Sequence, residues 1–344
     1  MSGTVSHIER VRRESARAAQ HEHLRLRTPM DRQVDIFQII EGAGIWLMFQ
    51  PTRQLFGAYQ RRGEAVGIIL NSNHPSTLQR YTAAHEYAHH VLGHQESLDD
   101  QEDIEVFTPG LSDLEVAAQA FAADFLIPLQ VVNHALRIMG SPIRQPTLAP
   151  VDAYKLSLHL GASYAATVSQ LVALKKISVS AARSLRNQQP IAIKEQIGRA
   201  RPEDSRADVW ILDESESGRE LTPRINDEVH VLLREMPSTG YVWRVQQPAS
   251  DASNHPTSAN LIIVRDIFEE PPDSHLYGTC GNRRFVFKVT HPGPYTLRIE
   301  KQRPWQVDAK PVSVFEANIT ASERPTGQTD HGLSEHQKQL LTAA

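Results

Sequence analysis

The chain has 344 residues, of which 40% are hydrophobic and 22% are charged, and its formal net charge is -4. This length exceeds what one ordinary hydrophobic core needs and suits two domains of common size. The net charge excludes a global basic field of the kind that attracts nucleic acid, so we expect no direct nucleic-acid partner. The single cysteine, Cys280, excludes a disulfide framework within the chain.

A lone cysteine fits a reducing compartment. The opening sequence, MSGTVSHIERVRRESARAAQ, contains no apolar run of signal-peptide length. No stretch approaches the roughly 18 consecutive apolar residues that a membrane-spanning helix needs. We therefore expect a cytoplasmic protein that does not enter a membrane.

The N-terminal half of the sequence combines helical and strand-like patterns. Apolar residues at helical spacing predict helices over residues 7–20, 31–42, 77–92, 112–127, 150–160, 163–175 and 178–187. Short apolar runs predict a small antiparallel sheet with strands at 45–49, 55–59 and 65–70. Residues 1–187 are therefore predicted to form one α+β domain.

The composition changes after this domain. Residues 188–206 (QQPIAIKEQIGRARPEDSR) are polar and contain two prolines, which predicts a linker. Beyond it, residues 207–320 contain short β-branched or aromatic runs separated by Pro, Gly, Asn and Ser clusters, a pattern typical of an all-β sandwich or barrel. The polar residues 321–344 predict a disordered tail.

A possible metal motif, His-Glu-Tyr-Ala-His at residues 85–89, lies inside the predicted helix 77–92. Positions i and i+4 share one face of a helix, so the imidazoles of His85 and His89 can reach a single zinc ion. Glu86 can take a proton from a water that zinc has made acidic. The alternative is an amphipathic helix with a histidine-rich solvent face, to which His90 and His94 would contribute; we assign these two histidines no role.

A catalytic zinc site needs a third protein ligand and an open fourth position. The favoured candidate is Glu115 on the predicted helix 112–127. Gln119 or Asp124 could orient the ligands through hydrogen bonds without contacting the metal. The alternative is that Glu115 only serves the start of its helix, because Ser112 three residues earlier makes a capping-box pattern. Asp113 is the second candidate for the third ligand.

Most of residues 15–187 resembles the ImmA/IrrE family of metallo-endopeptidases. The resemblance lies in the segments IIEGAGI, LFGAY, GIILNSN, QRYTAAHEYAHHVLGH, EVAAQAFAADFLIP and LHLGASYAATVSQLVALKKIS. It implies a gluzincin-like fold with one Zn²⁺ ion, held by the two motif histidines and by Glu115, with Glu86 as the catalytic residue. Gln119 stands where the family usually has an asparagine or an acidic residue.

The same resemblance implies how a substrate is held and what it is. The strand near residues 67–71 would line the cleft and bind the substrate backbone by strand addition. Family members typically cleave helix-turn-helix transcriptional repressors in mobile-element induction or stress responses. The implied partner is therefore a DNA-binding repressor; the composition of the chain does not itself point to one.

The predicted sandwich resembles the chagasin family of cysteine-peptidase inhibitors, which have an immunoglobulin-like β-sandwich fold. The segments PSTGYVW, YGTCGNRRF and RPW occur in the family's order. The resemblance implies three loops at one end of the sandwich that wedge into a papain-like active site, through Pro237, Thr239, Gly240, Tyr241, Gly278, Arg303, Pro304 and Trp305. The sequence departs from the family at Met236, where the family has asparagine, and at Gln306, where it has glutamate.

Three hypotheses follow. The favoured one is a regulatory zinc-dependent endopeptidase that cleaves a partner protein, with the sandwich recruiting the substrate or sensing a signal. The alternative is an inhibitor or binding protein for papain-like cysteine peptidases that acts through the sandwich loops, unless those loops have lost inhibition and bind something else. In the third, the loops cap the protein's own cleft until a ligand displaces them.

Overall fold

The computed structural model describes residues 6–53, 55–94, 97–99, 112–140, 148–246, 261–270, 280–306, 309–323 and 327–329. The chain divides into two compact units. The first contains the described residues up to Gln188 together with 327–329, and the second contains those from Gln189 to Glu323. The first unit is α+β and the second is mainly β, which confirms the predicted fold classes.

Helices make up most of the first unit. They are α1 His7–Leu26, α2 Ile36–Gly42, α3 Ser76–Leu92, α4 Asp113–Leu126, α5 Leu129–Ile138, α6 Pro150–Leu160, α7 Tyr164–Ala173 and α8 Val179–Arg186. Four of them begin at a serine whose hydroxyl accepts a backbone N–H of the first turn: Ser6, Ser112, Ser163 and Ser178. The sequence reading missed α5, because Pro128 ends α4 but also serves as the N-cap of the next helix.

The first unit contains one mixed sheet. Its strands are β1 Trp46–Gln50, β2 Gly57–Arg62, β3 Ala65–Asn71, β4 Ser97–Asp99 and a C-terminal strand, Gly327–Thr329, which pairs with the outer edge of β1. Strand β3 lies between β1 and β2, antiparallel to β2 but parallel to β1. The prediction of a purely antiparallel sheet was therefore wrong, because β2 and β3 form a hairpin that leaves β1 beside β3.

The position of β3 corrects a second expectation. Residues 67–71 belong to β3, and both of its edges are already paired, with β1 on one side and β2 on the other. A substrate strand cannot add to an edge whose backbone groups are already used in the sheet. The expectation that this strand holds the substrate backbone was therefore wrong.

The C-terminal strand also differs from the prediction of a disordered tail over 321–344. Gly327–Thr329 pairs antiparallel with β1, with Leu47 opposite Thr329 and Phe49 opposite Gly327. Strand β1 is distant in sequence from the tail, so no local sequence pattern in the tail indicates that the two pair. Residues 330–344 lie outside the described part of the chain.

The second unit is a sandwich of two four-stranded sheets. One sheet has the order β5-β7-β10-β9, from β5 Val209–Asp213, β7 Glu228–Glu235, β9 Leu261–Glu269 and β10 Gly281–Val289. The other has the order β6-β12-β11-β8, from β6 Arg219–Leu221, β8 Val242–Val245, β11 Gly293–Gln302 and β12 Ser313–Ala321. Alternate residues of β11 and β12 are buried, as the period of two in a half-buried strand requires.

The predicted linker 188–206 contains a helix, α9 Pro190–Gly198, that belongs to the second unit. Its Lys194 donates to the carbonyl of Ala207 at 2.6 Å, and Arg284 of β10 donates to the carbonyl of Ile197 at 3.1 Å. Proline suits the first position of a helix as well as a loop, so Pro190 did not distinguish a helix from a linker. The hydrogen bonds with Ala207 and Arg284, both later in the chain, stabilise the helix.

One segment of the first unit, Asp113–Ile138, is long and apolar enough to cross a membrane by length and composition. This differs from the prediction that no stretch of the chain suits a membrane span. The segment comprises α4 and α5, interrupted at Pro128, and 56% of its most apolar part is buried within the fold. Buried core helices reach the same length and apolar composition, so the segment is weak evidence for a membrane span.

Candidate metal centre

Helix α3 supplies the first two donor groups. Every residue from Thr82 to His89 is buried, because α3 packs against α4 on one side and against β2 and β3 on the other. The small residues Ala83, Ala84 and Ala88 allow this close packing. The motif histidines are therefore held by the core, and the solvent-face interpretation of this helix does not describe His85 and His89.

The structure brings together the three residues that the sequence predicted as metal ligands. His85 Nε2 lies 3.2 Å from His89 Nε2 and 3.0 Å from a Glu115 carboxylate oxygen. The other oxygen of Glu115 is 3.6 Å from His89 Nε2. One donor atom from each residue lies within 4.8 Å of the others. Among the described residues, these three form the group of His, Cys, Asp or Glu side chains that could hold a metal ion.

The donor types and their spacing suit a zinc site. Zinc–nitrogen bonds of about 2.0–2.1 Å place two neighbouring ligand atoms of a tetrahedron about 3.3–3.4 Å apart, close to the 3.2 Å between the two imidazole nitrogens. Glu115 presents one oxygen to each imidazole, at 3.0 Å from His85 and 3.6 Å from His89. The side chain of Glu115 is 17% exposed whereas His85 is fully buried, so the most exposed member of the cluster is Glu115. Two imidazoles and one carboxylate are one of the protein donor sets found in catalytic zinc sites.

Glu115 occupies the first turn of α4, as predicted. The hydroxyl of Ser112 accepts the backbone N–H of Glu115 at 3.2 Å, which is half of a capping box. The carboxylate of Glu115 points to the two imidazoles, so the residue serves more than its own helix start. The other candidate, Asp113, bonds His7 at 2.6 Å and is not part of the cluster.

Glu86 lies next to His85 on α3 and is fully buried. Strand β2 passes very close to it at Gly57. A Cβ atom on Gly57 would lie 2.7 Å from Glu86 Oε1 and would also collide with Thr82. The absence of a side chain at Gly57 therefore makes the room that the Glu86 carboxylate occupies, a feature that the sequence reading did not identify.

His94, to which the sequence reading assigned no role, contacts the cluster. Its Nδ1 lies 3.0 Å from the Nδ1 of His89, the ring nitrogen that does not face the other two donors. Burial lowers the pKa of His94, and the nearby Glu115 opposes this shift. His90 instead packs against the rings of Tyr59 and Tyr87, and burial lowers its pKa as well.

Asp124, one of the residues expected to orient the ligands, has another partner. Its carboxylate accepts a hydrogen bond from Gln170 at 2.9 Å, and burial raises its pKa. This contact ties α4 to α7. The bond that Asp124 makes therefore runs to α7 and does not support a role in orienting the ligands. The other candidate for that role, Gln119, stays a prediction.

The second unit brings two of the three predicted loops together. Residues 237–239 form a single helical turn, and Gly240 follows with φ of 74°. The ring of Trp305 packs on Gly240 so closely that a Cβ at that position would collide with it. The guanidinium of Arg303 lies 4.5 Å from the centre of the Tyr241 ring. Gly278, in the third loop, lies outside the described residues.

Two tryptophans of this region have different surroundings. Trp243 is buried, and its indole N–H donates to the carbonyl of Arg234 at 3.0 Å, so it is part of the sandwich core. Trp305 is 66% exposed. The loop end therefore presents a large aromatic side chain to solvent, with part of its ring against Gly240. Tryptophan is enriched at protein-binding surfaces.

Comparisons with known proteins agree with both units. Residues 40–171 match the IrrE N-terminal-like domain family of peptidases, and residues 222–319 match the chagasin family of peptidase inhibitors. The chain therefore joins an IrrE-like domain, which indicates a metallopeptidase, to a chagasin-like domain, which indicates inhibitor-type binding of cysteine peptidases. The resemblance of each half to its family is confirmed.

The relatives found are similar to the second unit. Amoebiasin-2 of Entamoeba histolytica is 29% identical over 106 residues, covering 31% of this chain and 80% of that protein. Chagasin of Trypanosoma cruzi is 27% identical over 89 residues, covering 26% of this chain and 76% of that protein. A solved cysteine protease inhibitor from Entamoeba histolytica has 25% sequence identity and a TM-score of 0.29, and the match covers 34% of this chain and 97% of that one.

Proposed function

We propose that the first unit is a zinc-dependent endopeptidase in which His85, His89 and Glu115 hold one Zn²⁺ ion. The observation that carries this proposal is the cluster of two imidazoles and one carboxylate assembled from α3 and α4, in which one donor atom from each residue lies within 4.8 Å of the others. The match to a peptidase family over residues 40–171 supports the same reaction class. The alternative interpretation, a histidine-rich helix that binds no metal, gives no reason for the Glu115 carboxylate to face both imidazoles.

In this proposal each residue of the site has a stated role. A zinc ion held by the three ligands would supply Lewis acidity for a peptide carbonyl and for a water molecule. Glu86 would take a proton from that water on its carboxylate and deliver it to the leaving amine of the cleaved peptide bond. Burial of Glu86 between α3 and β2 holds the carboxylate in one place, so little reorganisation is needed during the reaction.

The proposed substrate is a cytoplasmic DNA-binding repressor of the helix-turn-helix class, cleaved in a regulatory or stress response. This substrate class rests on the resemblance to the ImmA/IrrE family. A direct test is a substrate trap, in which Glu86→Gln is expressed in the native host and the proteins that co-purify with it are identified. Glutamine keeps the shape of the side chain but cannot take a proton, so the variant should bind substrate without cleaving it.

The trap has two informative outcomes. A helix-turn-helix protein that is retained by Glu86→Gln and cut by the wild type would support the proposed substrate and mechanism together. Cleavage by Glu86→Gln at the wild-type rate would remove Glu86 as the base. The matched control is His85→Ala, which should lose the ion and should not cleave the substrate. Any protein that co-purifies with this variant binds independently of zinc.

A second function is favoured by a separate observation, the contact between the 237–241 and 303–305 loops at one end of the sandwich. We propose that this end binds papain-like cysteine peptidases. The match to an inhibitor family supports the proposal.

Inhibition of papain by the full-length His85→Ala variant tests this second function without the metal centre. Because the loops and the metal cluster use different residues, we expect inhibition to survive the loss of zinc. If neither this variant nor the wild type inhibits papain at micromolar concentration, papain-like peptidases are excluded as partners. The loops would then bind a different ligand.

A further inference from the structure

His94, two residues after the end of α3, lies beside the proposed metal ligands. The Nδ1 atoms of His94 and His89 are 3.0 Å apart, which is hydrogen-bonding distance between two ring nitrogens. The rings meet at 69° with their centres 5.0 Å apart, so they meet edge to face and are not stacked. The contact is directional, and it uses the ring nitrogen of His89 that lies away from His85 and Glu115.

The backbone explains why His94 reaches this position. Gly93 ends α3 with φ of 71°, a conformation that reverses the chain direction and that glycine adopts without strain. The backbone N–H of His94 then donates to the carbonyl of His89 at 2.9 Å. His94 therefore bonds His89 twice, once through the backbone and once through the ring. The helix stop at Gly93 aims the second imidazole at the first.

The donor–acceptor pattern of this pair is restricted. One of the two Nδ1 atoms must carry a hydrogen and the other must accept it. If His89 binds a metal through Nε2, that atom must present a lone pair, so the hydrogen of a neutral His89 ring is on Nδ1. His94 must then accept with its own Nδ1 and carry its hydrogen on Nε2. The contact fits a single arrangement of hydrogens, in which His89 is ready to bind metal.

We propose that His94 is a positioning residue that holds the ring of His89 in the orientation and tautomer required for zinc binding. The inference rests on the proposed zinc site and deepens it, because it assigns a role to a residue outside the ligand set. Ligand histidines in metal sites generally donate their second ring N–H to an outer acceptor, usually a carboxylate, a backbone carbonyl or water, and loss of that acceptor weakens metal binding roughly 10–100-fold. In this chain the Nδ1 of His94 takes the acceptor's place. Here the partner is supplied by the residue that follows the helix stop.

Two substitutions separate this role from simple filling of space. In His94→Asn, the side-chain oxygen is attached to Cγ as Nδ1 is, so an acceptor for the His89 N–H is retained. In His94→Leu, a side chain of similar bulk remains but the acceptor is lost. His134→Asn on α5 is the control for removing a histidine elsewhere, since its ring bonds Arg137 on the same helix.

The zinc dissociation constants of the wild type and the three variants are measured on the full-length protein by competition with a chromophoric chelator. The absorption spectra of their Co²⁺ forms and the melting temperatures of their metal-free forms are recorded alongside. We expect His94→Leu to bind zinc roughly 10–100-fold more weakly and to change the Co²⁺ spectrum. His94→Asn and His134→Asn should stay within about threefold of the wild type, a difference of less than about 0.7 kcal/mol.

Three results would overturn the proposal. Zinc affinity in His94→Leu equal to that of the wild type would show that the contact does not act on the metal site. Equal weakening in His94→Asn and His94→Leu, with equal loss of metal-free stability, would make His94 a structural residue. A wild-type protein that binds no zinc would contradict the proposed function itself. This failure can be told apart from a failure of the His94 proposal, because it is seen without any substitution at His94.

Discussion

The two candidate sites of this chain are built in opposite ways. The proposed metal ligands His85 and His89 are 0% and 1% exposed and lie on a helix packed on two sides, whereas Trp305 of the sandwich loops is 66% exposed. In the first site the fold determines where each donor atom lies. In the second site the sandwich supports two loops whose side chains contact each other and remain largely open to solvent.

This difference predicts how each site responds to change. Substitution near the proposed metal cluster should alter metal affinity or catalysis, depending on which side chain is displaced, and should also affect stability, since these side chains share one packed core. Substitution at the loop end should alter partner binding while leaving the stability of the sandwich nearly unchanged. The predictions below test this contrast, in order of decreasing effect.

The largest expected effect is the loss of the third ligand. Glu115→Gln keeps the size of the side chain but replaces the carboxylate that faces both imidazoles. We expect zinc affinity to fall by more than the roughly 10–100-fold that follows from the loss of a residue outside the ligand set. The control is Asp113→Asn, which removes a carboxylate from the same helical turn but one that bonds His7. Equal losses in the two variants would exclude Glu115 as the specific ligand.

Insertion of a methyl group beside the proposed base is the next test. In Gly57→Ala, the new Cβ would collide with Thr82 and with Glu86 Oε1, so the carboxylate must shift. A displacement of about 1 Å at a reacting group can reduce the rate by about 10²-fold. We expect kcat for the trapped substrate to fall by that order while zinc affinity stays near the wild-type value.

The matched control for this variant is Gly42→Ala. Nothing lies within 4 Å of a Cβ at Gly42, so the added methyl group has space. Unchanged kcat in Gly57→Ala, in a variant that folds normally, would contradict the idea that this glycine makes room for the base.

The loop end should show the reverse behaviour. We expect Trp305→Ala to weaken binding to a papain-like peptidase by at least about 2 kcal/mol, or roughly 30-fold, because exposed tryptophans are frequent hot spots of protein interfaces. The free energy of unfolding should change by no more than about 0.5 kcal/mol, as for other exposed residues. Val312→Ala, which truncates another exposed apolar side chain, should affect neither quantity. A large loss of stability in Trp305→Ala would break the contrast between the two sites.

The smallest effect concerns the core of the sandwich. The carboxylate of Asp227 accepts hydrogen bonds from the backbone of Asp208 and Arg224 and from the indole of Trp210. Burial, together with the charge of Asp208, raises the pKa of Asp227 to about 6. The folded state therefore binds a proton more tightly than the unfolded state does, and stability falls as pH rises from the unfolded pKa of about 3.9 towards 6.

Urea unfolding of the wild type and of Asp227→Asn, at pH 5 and at pH 7, isolates this contribution. The lost hydrogen bonds should lower the stability of the variant at both values. We expect the stability advantage of the wild type to be larger at pH 5 than at pH 7 by about 1 kcal/mol, because asparagine does not titrate. An advantage that is equal at the two pH values, or larger at pH 7, would contradict the raised pKa.

The proximity of the three proposed ligands could be predicted because their positions follow the spacing of residues along helices. The spacing of His85 and His89 placed both on one helical face, and the position of Glu115 in a first helical turn drew attention to it. The position of β1 beside β3 was not predictable, since sequence patterns give strands but not their order in a sheet. The pairing of Gly327–Thr329 with β1 was undetectable for the same reason.

The residues that the sequence reading missed depend on tertiary contact. Gly57 matters only because β2 crosses α3 at that residue, and nothing in the segment LFGAY indicates which helix it meets. His94 had a partial signal in the glycine before it, which is a common helix terminator. The direction of the His94 ring follows from the left-handed turn at Gly93, so the contact with His89 became visible only in three dimensions.

The central claim, that the first unit is a zinc-dependent endopeptidase with Glu86 as its base, is tested most directly by measuring zinc content and substrate cleavage together. The wild type, Glu86→Gln and His85→Ala are purified in the same way, and each is incubated with the protein recovered from the substrate trap. The proposal predicts equal zinc content in the wild type and Glu86→Gln, depleted zinc in His85→Ala, and cleavage by the wild type alone. Cleavage that persists in His85→Ala after treatment with a chelator would contradict it.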